Sequence, residues 1–187
     1  TAQQQQPFRI GAVLPLSGAF GVFGQNMKRG VEFAIQERGG KVLGRPIEVV
    51  WEDSETKPQV AVQKTSRLIA SGVDVLFGAA SSGETIAMMP LAAQAKVPHL
   101  VTMSADDRIT GTNKTRYTFR TSNNLAMENV MVAEQVKALG LKKVYGVAAD
   151  VGTTREGWND IRALLTKEGV QIAGEDFVLT DVNDAAE

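Results

Sequence analysis

Three short stretches of this 187-residue chain gather small, hydroxyl-bearing and glycine residues as a polar head group requires. The most informative is Gly78-Ala79-Ala80-Ser81-Ser82-Gly83-Glu84-Thr85, which follows an apolar run. Ser81 with Glu84 three residues later spells a capping box, so a helix should begin at once. Ser82 and Gly83 then fall in its first turn, where N–H groups lack intrahelical partners and the helix dipole is positive. Such a turn suits a carboxylate or phosphate, although a capped helix without a ligand has the same spelling. A second stretch, Thr102-Met103-Ser104-Ala105-Asp106-Asp107, would face the same crevice if the two preceding strands are neighbours. The third, 17–24, has the spacing G-x-x-G-x-x-G and not the dinucleotide G-x-G-x-x-G, and no phosphate-binding G-x-x-x-x-G-K-[ST] occurs. Its Phe20 and Phe23 have no strand or helix face to fill there, which points to an apolar wall for a ligand.

Other chemistries are weaker. Ala79-Ala80-Ser81-Ser82-Gly83 approximates a nucleophile elbow with Ser81 at its centre, but the only histidine is His99, at the start of the next strand after Pro98. A structural role suits that histidine better than a triad. Asp106 and Asp107 lack histidine partners for a metal, so neither a metal nor a cofactor is expected. The absence of cysteine excludes disulfides and thiolate chemistry. Twenty Lys and Arg against 21 Asp and Glu leave no basic footprint for nucleic acid. No apolar run reaches the ~20 residues of a membrane span, so direct membrane insertion is not expected. The polar opening Thr1-Ala2-Gln3-Gln4-Gln5-Gln6-Pro7 is what removal of a signal peptide would leave, and a trimmed chain would look the same.

These loops need elements to hold them. Apolar runs at 8–14, 47–52, 73–77, 99–103, 143–149 and 172–179 predict strands, and helical patterns separate most of them. The first helix should end at Gly39-Gly40. The second should start at Thr56, with Gln59 completing a capping box and Pro58 in the first turn. A third is expected over 82–96, kinked or stopped at Pro90. A fourth spans 124–139, and a fifth starts at Thr153 with Glu156 three later. Strand–helix alternation predicts a doubly wound, mostly parallel α/β sheet. The irregular stretch 104–116 interrupts it before a short extended piece, Phe119-Arg120-Thr121, and a boundary is expected at 119–122.

Taken in order, several pieces carry a resemblance. They include Ile10-Gly11-Ala12-Val13-Leu14-Pro15-Leu16-Ser17-Gly18, Leu43-Gly44-Arg45-Pro46-Ile47, Glu52-Asp53 with Pro58, and the Ser81-Ser82 pair. Val97-Pro98, Ser104-Ala105, Phe119-Arg120-Thr121 and Gly140-Leu141-Lys142-Lys143-Val144 complete the set. Together they resemble the periplasmic solute-binding proteins of branched-chain amino-acid ABC importers, which have the type I periplasmic binding-protein fold. The resemblance implies a first ligand-binding lobe over residues 1–120 and the incomplete beginning of a second over 121–187. It implies an extracytoplasmic, periplasmic component that delivers a small organic acid or amino acid to a membrane permease, and no enzyme activity. A sensing domain of the same fold is the alternative, and a serine hydrolase using Ser81 a more distant one. Ser82 and the Ser104-Ala105 backbone would bind a ligand carboxylate, with Phe23 stacking opposite and Phe20 and Ser81 beside them. Thr154-Arg155 stands where such proteins often carry Tyr-Gly over the ligand, which leaves aromatic acids open besides amino acids. A chain holding only part of the second lobe should expose apolar faces on its fourth and fifth helices.

Overall fold

The computed structural model describes residues 6–178, which divide into two compact units meeting at Ser122 and Asn123. In the first, β1 (Phe8–Leu14), β2 (Lys41–Val42), β3 (Arg45–Asp53), β4 (Val75–Gly78), β5 (His99–Val101) and β6 (Thr118–Arg120) form one sheet. Its order is β2-β3-β1-β4-β5-β6, parallel throughout except for the short antiparallel edge strand β2. Helices α1 (Gly21–Glu37), α2 (Pro58–Ala70) and α3 (Ser82–Ala95) make the connections, and a single 3₁₀ turn (Asp107–Ile109) precedes β6. The chain passes from β1 outward to β3, then crosses back over β1 to β4. With right-handed crossovers, that reversal puts α1 on one face and α2 with α3 on the other.

Burial follows from this placement. β1 lies between two neighbours, so its second half, Gly11 to Leu14, is fully covered. Gly11 lets α2 come close: a side chain there would begin 3.1 Å from both Leu68 and Val73. The main core joins Val13 and Leu76 of the sheet to Ala61 and Leu68 of α2 and Met88 and Ala92 of α3. Helix α3 continues past Pro90 to Ala95, with Met88, Met89 and Ala92 buried around it, so the proline does not stop it.

The second unit pairs β7 (Lys143–Ala149) in parallel with β8 (Gln171–Val178), against α4 (Leu125–Ala138) and α5 (Gly152–Lys167). Its core is Val136, Ile161, Leu165 and Val170, with Trp158 packed alongside. A Cβ at Gly146 would sit 2.4 Å from the Trp158 ring, so glycine is what lets the indole lie on β7. Of the two helices expected to expose apolar residues, α4 does so at Met127, Val130, Met131 and Val132. The apolar residues Ile161 and Leu165 of α5 are instead buried in this unit's own core.

Three helix starts differ from the sequence reading. α2 is capped at Lys57 with no side-chain hydrogen bond, because the Thr56 hydroxyl is drawn to the Phe20 N–H and Ser17 carbonyl. α5 begins at Gly152, so Thr153 lies inside it and the Thr153–Glu156 pair is no cap. Helix α1 likewise starts at Gly21, inside the loop expected over 17–24.

His99 is fully buried at the start of β5, with Nε2 2.6 Å from the Gly78 carbonyl at the end of β4. A carbonyl only accepts, so Nε2 carries the proton, while the buried Nδ1 has no partner. Burial pushes its pKa from 6.5 down to about 4. The unfolded chain therefore binds the extra proton first, and the stabilisation is complete above about pH 6.5 and lost as pH falls toward 4. We expect acidification from pH 7 to 5 to cost about 2 kcal/mol through this group. His99→Gln, which keeps a donor for Gly78, should show a smaller fall in urea midpoint over that interval. Identical pH slopes for the two proteins would contradict this.

Candidate ligand-binding site

Because β3 and β4 flank β1, the strand order reverses at β1 and β4, and the crevice outside their carboxyl ends is where such sheets bind ligands. The loops after β1, β3, β4 and β5 meet there. Asp53, the last residue of β3, opposite Leu14, fastens the first of them. Its carboxylate accepts from Leu16 N (2.9 Å), Ser17 N (3.2 Å), Ser17 Oγ (2.6 Å) and Glu55 N (2.8 Å). Burial acts to raise its pKa, but the Ser17 hydroxyl and the three N–H groups outweigh it and hold the carboxyl below its usual range.

Thr56 Oγ1 accepts from Phe20 N at 3.1 Å and donates to Ser17 O at 3.3 Å, tying the β3–α2 loop to the β1–α1 loop. Gly18, at φ +77°, leaves no room for a side chain, since a Cβ would lie 2.6 Å from Glu55 O. Gly24 is equally constrained by Pro15 O, 2.0 Å from where its Cβ would be. The glycine spacing thus serves close backbone packing and not a phosphate cradle. Phe20 directly precedes α1 and Phe23 lies in its first turn, a correction to the loop placement expected for it. Their rings meet edge to face, 5.7 Å apart at 88°, and Phe23 remains 46% exposed.

The β4–α3 loop shows the capping box that its sequence spells: Ser81 caps α3, and Glu84 returns a hydrogen bond to the Ser81 N–H. Burial pushes the Glu84 carboxyl up, and the charge of Asp53 adds to the shift. Ser104 Oγ donates to the carbonyls of Ala79 (3.1 Å) and Ala80 (3.2 Å) and lies 2.7 Å from Thr85 Oγ1. Thr85 Oγ1 in turn accepts from Ala79 N at 3.2 Å. Since carbonyls cannot donate, the Ser104 proton points to them and Thr85 must donate to Ser104. The Ser104 hydroxyl, expected to face a ligand, is instead buried and engaged within the protein.

Ser82 opens α3, and its Oγ accepts from Asp106 N at 3.3 Å. That bond joins the β5 loop, including the half-buried Ala105, to the helix start. Asp106 is buried and paired with Arg108, whose Nη2 lies 2.6 Å from Oδ2. Burial works to raise Asp106, but Arg108, helped by the charge of Arg120, holds it below its usual range. Ser81, Ser82, Ser104 and Ala105 are thus brought together, and Phe20 and Phe23 stand at the start of α1. Thr154 belongs to the second unit, inside α5, where its hydroxyl donates to Ala149 O and Val151 O. It is a helix-start brace and not the loop residue expected. Asp53, Thr56 and Thr85 were not singled out as positioning groups from the sequence, and an Asp-Ser-Glu-Thr turn after a strand is the signal for the first two.

His99 bonds to Gly78 and not to Ser81, so the nucleophile–base contact that a serine hydrolase needs is missing. Among the described residues no cluster of metal-ligating side chains occurs, and no helix is long and apolar enough to cross a membrane.

Comparison with known proteins agrees with this geometry. The family model described as periplasmic binding protein matches residues 7–187. A Leu/Ile/Val-binding protein homolog from Brucella abortus is 29% identical over 166 residues, 88% of this chain and 42% of that protein. An ABC-transporter solute-binding protein from Rhodopseudomonas palustris in complex with benzoate superposes with a TM-score of 0.88 at 27% identity. That superposition covers 95% of this chain and 50% of the other. A second protein from R. palustris, in complex with 3,4-dihydroxybenzoic acid, gives 0.87 at 27% identity, over 94% of this chain and 48% of that one. The chain spans about half the length of these relatives. It belongs to the periplasmic binding protein family, whose members bind solutes and are not enzymes, and it has their type I α/β fold.

The hydroxyl relay makes Ser104→Ala a sharp test of loop anchoring. Losing that hydroxyl leaves the Ala79 and Ala80 carbonyls and the Thr85 proton without their partner, which should cost about 1–3 kcal/mol of stability by urea unfolding. An unchanged midpoint would mean that the relay does not anchor the loop.

Proposed function

We propose that this chain, a member of the periplasmic binding protein family, provides the ligand-binding lobe of an ABC importer's extracytoplasmic solute-binding component. Residues 1–120 act as that lobe and 121–187 begin the second. The component works in the periplasm, where it hands its solute to a membrane permease. The observation that carries the reading is the start of α3. There the Ser82 and Gly83 N–H groups lie in the first turn, the Ser82 hydroxyl proton has no acceptor among the described residues, and the dipole favours an anion.

The solute we favour is an aromatic acid, bound through its carboxylate to Ser82, Gly83 and the Ala105 backbone, with its ring against Phe20 and Phe23. The loop carboxylates support this choice. Asp53 is surrounded by donors, Asp106 is paired with Arg108, and Glu84 is buried, so none of these three is available to an ammonium group. Neighbouring structures holding benzoate, 3,4-dihydroxybenzoate and 4-hydroxybenzoate point the same way. A branched-chain or other hydrophobic amino acid is the second reading, favoured by the Leu/Ile/Val-binding relatives.

Titration calorimetry of the full-length protein with benzoate, 4-hydroxybenzoate and leucine separates the two. We expect the aromatic acids to bind and leucine to bind more weakly. Ser82→Ala should weaken 4-hydroxybenzoate about tenfold to a hundredfold by removing one charge-assisted hydrogen bond. The helix should persist, because Ser81 remains as its cap. Equal affinity for wild type and variant would remove Ser82 from the site, and preference for leucine would favour the second reading.

A further inference from the structure

Arg120 ends β6, at the same edge of the sheet as the ligand loops, in register with Val101 of β5. Its Nη2 donates to the backbone carbonyl of Asp106 and, at 3.4 Å, to Thr110 Oγ1. Its Nε and Nη1 are buried with no acceptor. Leaving charged donors buried and unpaired is unfavourable, and a strand end could be closed by a residue with fewer of them. A guanidinium kept under those conditions calls for a compensating role. Burial lowers its pKa, while the charges of Asp107 and Asp106 help to keep it protonated.

The compensating role lies one residue away. Asp106, whose carbonyl Arg120 holds, is the residue whose N–H donates to Ser82 Oγ. We propose that Arg120 is a positioning residue of the ligand site: it fixes Asp106 so that its N–H occupies a lone pair of Ser82, leaving the Ser82 proton directed to the solute carboxylate. Arg120 itself touches no solute. The inference rests on the reading of Ser82 as a ligand contact. A plain strand brace would stabilise β6 without favouring any orientation of Ser82.

A double-mutant cycle on the full-length protein distinguishes these roles, with 4-hydroxybenzoate as the probe and titration calorimetry as the readout. Arg120→Met should weaken binding about tenfold in the wild-type background and less than twofold in Ser82→Ala, because the two residues act through one contact. Arg120→Lys, which keeps a charged donor, should stay within about threefold of wild type, and it carries the cycle if Arg120→Met fails to fold. Equal losses in both backgrounds would make Arg120 a brace and overturn the proposal.

Hydrogen exchange on the ligand-free protein gives an independent reading. The Asp106 amide should exchange about tenfold faster in Arg120→Met, with the Leu76 amide of β4 unchanged. Unchanged exchange at Asp106 would also overturn the proposal. If wild type fails to bind 4-hydroxybenzoate, the aromatic-acid reading falls, and the Asp106 amide alone decides whether Arg120 positions that residue.

Discussion

The hydroxyl relay from Thr85 to Ser104 to the carbonyls of Ala79 and Ala80 is what holds the site end of the first unit together. Where β4 ends, Ala79 and Ala80 leave the sheet ladder while still buried, so their polar groups reach neither strand partners nor water. Unpaired, each would oppose folding. Thr85 belongs to α3 and Ser104 to the loop after β5, so satisfying those carbonyls joins the exits of two strands to the start of a helix. In a low-dielectric interior such a relay is stiff, since each bond polarises the next. The first turn of α3 is therefore preorganised.

The acidic side chains at this edge complete the same task. Asp53 gathers the β1–α1 loop through Leu16 and Ser17, and Asp106 closes the 3₁₀ turn through Arg108. Each negative charge is turned toward donors of its own loop or the next. With these charges compensated locally, the dipole of α3 sets the sign of the field at its own first turn. Under the reading proposed above, a site assembled in this way would favour an anion by geometry and dipole.

The central strands β1, β4 and β5 were legible in the sequence because they are largely buried and appear as apolar runs. β1 and β7 have the bounds their runs predict, and β8 begins one residue early, its expected end at 179 lying outside the described residues. The two-residue edge strand β2 has too few side chains to leave a pattern. Capping signals divided according to competition for the hydroxyl. Ser81 has no rival partner and caps α3, whereas Thr56 meets an N–H from a segment 36 residues away and abandons its helix. Sequence spacing cannot report such a contact. The same limit explains Ser104, whose residue type suited a ligand but whose hydroxyl is taken by carbonyls 24 and 25 residues earlier.

The second unit satisfies the polar groups at its helix starts differently. Where β7 passes into α5, the polar groups bond one another. Thr154 bonds Ala149 and Val151, while Arg155 pairs with Asp150 and lies over the Phe177 ring, 3.9 Å from its centre. Asn124 likewise closes the start of α4 through Met127 N. At the start of α3 the accounting differs. Ser81 serves Glu84 and Ser82 accepts from Asp106, but the Ser82 proton and the Ser82 and Gly83 N–H groups have no acceptor among the described residues. One helix in each unit, α3 at Ser81 and α4 at Asn124, is capped by a short polar side chain. At the α3 cap the donors left over sit beside loops already fixed by buried bonds, and fixed, unpaired donors suit an anion.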